Sequence, residues 1–163
     1  MSSSDRLCRR SLLLGTLALG GCGFTPVYGP DGPALALRDS VTVEGPDTVD
    51  GYQLRQHLQD QLGRATAPAY TLSVTLDITE DSGAITADGT ISRFTLTGQS
   101  TYALRAAGSE TVLAQGSVDS FTSYAATGTT VATRSAADDA RDRLTRILAD
   151  LVMTRLVIAA QDF

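Results

Sequence analysis

Cys22 sits in the stretch LALGGCGFTPVYG, residues 17–29, and its setting implies chemistry more directly than any other residue. Apolar and small residues lead up to it, and a turn-rich stretch follows. A thiol can serve as a nucleophile, a disulfide half, a metal ligand or a covalent attachment point. Nucleophilic catalysis needs a base within reach, and the single histidine, His57, is remote in sequence with no catalytic partner arrangement around it. One Cys and one distant His do not make a metal centre. The acids of DSGAITADG, residues 81–89, lack the calcium-loop spacing and its closing Glu.

The residues before Cys22 settle its role. Arg6, Arg9 and Arg10 give a basic start, and SLLLGTLALGG follows as a short apolar run ending in small residues. This is the three-part pattern of a secretory signal. The run is too short to span a bilayer, which takes about 20 residues. Gly15, Gly20 and Gly21 argue against a buried helix. RRSLL resembles a twin-arginine signal, but an ordinary basic start reads the same way, so the route stays open.

Removing residues 1–21 discards Cys8 and leaves Cys22 as the single cysteine, without a disulfide partner even in an oxidising compartment. Leu19-Gly20-Gly21-Cys22 matches the bacterial lipobox. There the thiol is alkylated with diacylglycerol, a peptidase cuts before the cysteine, and the freed amine is acylated. The expected covalent groups are therefore a diacylglycerol and an N-acyl chain on Cys22, with no metal or other cofactor. Two or more acyl chains hold a protein stably on a membrane without a span. Gly23 in place of aspartate favours, by resemblance to other lipoproteins, transport to the outer membrane.

Segment 22–163 keeps ten arginines and seventeen acids, a formal net charge of −7. Such a chain is a poor nucleic-acid binder and a poor polybasic membrane-surface domain. The expected division is a signal over 1–21, a lipidated tether over 22–33 and one domain over 34–163.

The elements follow from periodicity. LALRDSVTVE, residues 35–44, predicts a first strand. Leu54, Leu58 and Leu62 predict a helix capped by Asp47 or Asp50 and closed by Gly63. YTLSVTLDI, residues 70–78, alternates throughout and predicts a strand. TEDSGAITADGT, residues 79–90, reads as a loop. Residues 91–106 and 111–124 predict a long antiparallel hairpin, and residues 134–160 a closing amphipathic helix that Ser135 could cap. The expectation is an α+β fold of order β-α-β-β-β-α: a four-stranded mixed sheet with both helices on one face. The other face would be rich in Thr, Ser, Gln and Arg, which suits water or the polar interior of a large outer-membrane barrel.

CGFTPVYG behind the lipobox, the hairpin STYALRAAGSETVLAQG and the closing RLTRILADLVMTRL together resemble the LptE family of lipopolysaccharide-assembly lipoproteins. The resemblance covers the mature chain. It implies a mixed sheet with two helices, no catalysis, and a place on the outer membrane as the plug of an LptD-type β-barrel. It also implies help in assembling that barrel and binding of lipopolysaccharide. Guanidinium pairs bidentately with phosphate, so Arg93 and Arg134 are the candidate lipopolysaccharide contacts, with Arg105 near the other end of the Arg93 strand. The plain alternative for each is a solvated surface charge. The alternative function is a periplasm-facing lipoprotein accessory of a lipid or solute transporter, with no barrel partner.

Overall fold

A computed structural model describes residues 32–85, 91–126 and 128–161. The signal segment, Cys22 and all of the tether but its last two residues lie outside the described residues. The described chain runs α1 (Pro33–Leu37), β1 (Val41–Glu44), α2 (Val49–Leu62), β2 (Tyr70–Val74), β3 (Asp77–Ile85), β4 (Ile91–Ala106), β5 (Val112–Ala125) and α3 (Thr130–Ala159).

The fold is α+β with a mixed sheet, but the sheet has five strands where four were expected, and three helices where two were expected. The strand predicted over 70–78 ends at Val74, and a second begins at Asp77. Both lie along one edge of β4 in a single register: Val74 opposes Tyr102 and Asp77 opposes Gln99. Between them Thr75 N–H still donates to the Thr101 carbonyl, and Ser100 Oγ donates to the Thr75 carbonyl at 2.7 Å. Strand β3 then takes up residues 79–85 of the predicted loop, while residues 86–90 lie outside the described residues. The sequence hides this strand because beyond Ile78, which packs on the core, residues 79–82 are polar on both faces. Thr79 and Asp81 face water, and Glu80, on the covered side, is satisfied by Tyr124 and Arg141.

Residues 35–37 are helix, not strand. Pro33 at the first turn favours helix, Leu37 is fully buried, and Asp39 at φ 55° turns the chain before β1 starts. The cap of α2 is Thr48, whose Oγ1 accepts from Gly51 N–H at 3.0 Å, rather than Asp47 or Asp50. Those two acids pair with Arg55 and Arg141. Helix α3 starts at Thr130 under a Thr129 cap, four residues before the expected start and without Ser135. Its first turns are largely exposed, so the apolar period is silent there.

Strands β1 and β2 are parallel, joined through α2, and β4 pairs β5 antiparallel over its whole length. Val41, Val43, Leu72, Val74, Leu96, Leu104 and Val118 are buried and share one sheet face. That face takes Leu54, Leu58 and Leu62 from α2 and Leu144, Leu148, Val152 and Leu156 from α3 into one core. Gly98 marks a close approach of sheet and helix: a Cβ there would stand 3.0 Å from Leu144 and Leu148.

Candidate functional site

Alternation places the opposite parity of every strand on the uncovered face. Register sets Thr42 beside Thr71, Thr79 beside Thr97, Asp81 beside Thr95, Gln99 beside Asp119, and Thr101 beside Ser117. The expected wet, hydroxyl-rich face is present, and no described helix lies over it. On it Phe121 is 72% exposed, opposite Thr97. Sequence reading passed over this residue. Its signal was parity alone, since Phe121 alternates in phase with Ser117, Asp119 and Ser123.

Arg93 stands on this face near the start of β4 and is exposed; it pairs across to Ala125, the last residue of β5. Arg134 is exposed in the early turns of α3, nine residues further along the chain. The two share one end of the molecule but stand on different layers, Arg93 on the sheet face and Arg134 on the helix layer. Neither forms an ion pair with a described acid. Arg105 lies at the far end of β4, about 40 Å along the strand at ~3.4 Å per residue.

Four other arginines are paired, and two of them, Arg141 and Arg143, hold the layers together. Arg141 reaches Asp50 at 3.2 Å and Glu80 at 3.0 Å, tying α3 to α2 and β3. Tyr124 donates to Glu80 at 3.0 Å and stacks on Phe94 at 5.3 Å. Arg143 pairs with Asp139 and donates to the Ser123 carbonyl on β5. Arg146 pairs with Asp142, which also meets His57 at 3.2 Å, and Arg55 pairs with Asp47. His57 therefore serves the α2–α3 contact. Among the described residues no group of His, Cys, Asp and Glu could hold a metal ion, and no described helix is long and apolar enough to cross a membrane.

Two phenols on the covered face titrate above the usual tyrosine value. Burial pushes Tyr124 up first, and the bond to the Glu80 carboxylate adds to it. Burial also raises Tyr102, with Arg155 pulling the other way. A phenol whose folded pKa is raised contributes stability that is full below the unfolded value, about 10, and is lost as pH rises through the folded value. Urea midpoints at pH 9 and pH 11 should therefore differ more for the parent chain than for the Tyr102→Phe/Tyr124→Phe double variant. Equal drops in both chains would refute the coupling.

Comparison with known proteins then bears on this geometry. The family model described as "LptE: Lipopolysaccharide-assembly" matches residues 39–156. No curated protein matches the chain. Among solved structures, a putative lipoprotein from Caulobacter crescentus is similar with a TM-score of 0.65 at 22% identity, covering 80% of this chain and 96% of that one. The rare lipoprotein B from Shewanella oneidensis has a TM-score of 0.59 at 12% identity, covering 76% and 97%. A minor lipoprotein from Acinetobacter baumannii has a TM-score of 0.53 at 13% identity, covering 74% and 91%. These likenesses speak to the fold. The family match spans most of the chain, across all five strands and the α2–α3 core, and on it the chain belongs to the LptE family of lipopolysaccharide-assembly proteins.

Proposed function

We propose that this chain is an outer-membrane lipoprotein that plugs an LptD-type β-barrel, helps it assemble and supports lipopolysaccharide transport to the outer leaflet. The observation that carries the reading is the uncovered sheet face. It is long, polar and hydroxyl-rich, and the lumen of a large outer-membrane barrel is polar as well. A folded domain presenting such a face loses little by docking there, because its hydroxyls and amides exchange water for polar lumen groups. Phe121 supplies an aromatic anchor of the kind that concentrates binding energy at interfaces. The chain acts by shape and contact, without catalysis. Cys22 carries the lipid anchor that holds it on the periplasmic side, behind the signal over 1–21 and the tether over 22–33. Arg93 and Arg134, exposed and free of ion pairs with described acids, are the proposed lipopolysaccharide contacts.

A photo-crosslinker tests the docking face. Placed at Thr97 or Gln99 it should capture a β-barrel protein from solubilised outer membranes, and placed at Asp138 on α3 it should capture several-fold less. Purification of the chain with no LptD-like barrel attached would refute the plug reading.

A further inference from the structure

The end of the open face remote from Arg93 and Arg134 holds two adjoining grooves that share Arg105. The larger, about 610 Å³, is lined by Ser73, Thr75, Thr101, Gln115 and Ser117 together with Arg105, and no acid borders it. The smaller, about 270 Å³, is bordered by Glu44 and Glu110. Arg105 forms an ion pair with neither of these acids, and its Nε is buried without a hydrogen-bond acceptor. Arg105 lines both grooves and its guanidinium bonds no described residue, so the fork of its terminal amines is free to take an acceptor from the groove side. The matching acceptor is an oxyanion that can be held bidentately. The carboxylates direct such an anion away from the small groove and into the large one, where hydroxyls and an amide can bond neighbouring alcohols.

We propose that this groove binds a phosphate carried on a polyol, with Arg105 on the phosphate and Ser73, Thr101, Gln115 and Ser117 around the hydroxyls. The site lies where the chain enters the domain. The Ser40 carbonyl accepts from Ala69 and Tyr70, and the Ala69 carbonyl accepts from Ala107, so the start of β1 and the end of β4 are neighbours. The tether between Cys22 and α1 can extend about 35 Å, at ~3.3–3.6 Å per residue. An anchored chain therefore keeps the groove within reach of the phosphates of its own membrane. Both a glycerol-phosphate lipid headgroup and a soluble polyol phosphate present the required chemistry. The inference does not depend on the barrel reading, since ligand binding and barrel copurification are separate readouts.

The test uses the full mature chain, lipidated and carrying Ala103→Cys labelled with an environment-sensitive fluorophore at the groove wall. In detergent, glycerol 3-phosphate should shift the emission, while glycerol alone should not. Arg105→Gln should weaken the response about tenfold or more, the scale of a lost charge-assisted contact, and Arg105→Lys should restore part of it. Arg146→Gln, on the helix layer, should leave it unchanged. In vesicles, a shift with phosphatidylglycerol but not with phosphatidylcholine alone assigns the lipid headgroup as the source. A response to the soluble phosphate alone assigns the free ligand. Failure of both phosphates, an equal response to glycerol, or an undiminished response in a folded Arg105→Gln chain overturns the proposal.

Discussion

Cys22→Ser should abolish lipid anchoring of this protein and its place on the outer membrane. In cells that make the chain in excess of any barrel partner, the parent should pellet almost wholly with outer membranes. The variant should remain with residues 1–21 uncleaved, since the lipoprotein peptidase acts only after the thiol is alkylated. It should lose the diacylglycerol and the N-acyl chain together. Each buried methylene is worth about 0.8 kcal/mol, and two or more chains separate stable anchoring from marginal, reversible binding. Loss of all of them should lower the lipid-anchored fraction by about a hundredfold or more. No described helix is long and apolar enough to cross a membrane. Fractionation with mass spectrometry of the N-terminal peptide reads the result. A parent chain whose Cys22 peptide is free of acyl groups would remove the anchor from the account.

Gly63→Ala should be strongly destabilising. Gly63 closes α2 with φ 79° and ψ −177°, a region that is essentially glycine's alone. Its N–H donates to the Gln59 carbonyl, so the helix end and the unusual backbone are one feature. A Cβ at this position would also stand 2.0 Å from Asp39 Oδ1, while Asp39 N–H donates to the Leu62 carbonyl at 2.7 Å. The turn before β1 is thus seated on the end of α2, and neither can move alone. We expect a loss of about 2–4 kcal/mol, combining backbone strain with displacement of Asp39. At this size that is a fall in melting temperature of about 5–15 °C. Adding Asp39→Ala should recover only the steric part, which separates the two causes. A fall below about 1 kcal/mol would show that the turn relaxes freely, against the geometry described here.

Where the sequence carried a strong period, the structure follows it. Leu54, Leu58 and Leu62 are buried in α2 as their spacing required, and the 91–106 and 112–125 strands pair along their length. The polar parity of β4 faces water because a strand sends alternate side chains to opposite sides, and only one parity is apolar enough to cover. Where polar residues are satisfied by distant partners, the period fails. Glu80 reads as loop until Arg141 and Tyr124 meet it across 61 and 44 residues of chain. The start of α3 reads as loop because its first turns touch little of the core. Residues 35–37 read as strand because alternation over so short a run also fits a single helical turn.

The amino-acid order by itself determined the acidic balance, the α+β content and the existence of one wet sheet face, and it sets the expectation of a lipobox at Cys22. These are local or compositional properties: a cleavage signal, a charge count and a repeat of two or 3.6 residues need no knowledge of distant contacts. Only the tertiary structure decided that residues 70–85 form two strands on one edge of β4, and that Arg141 and Arg143 hold the layers. It also placed Arg93 and Arg105 at opposite ends of the open face, with Arg105 unpaired between two grooves. Those facts depend on which residues far apart in sequence are brought within a few ångströms, and hydrogen bonds and ion pairs act only at that range.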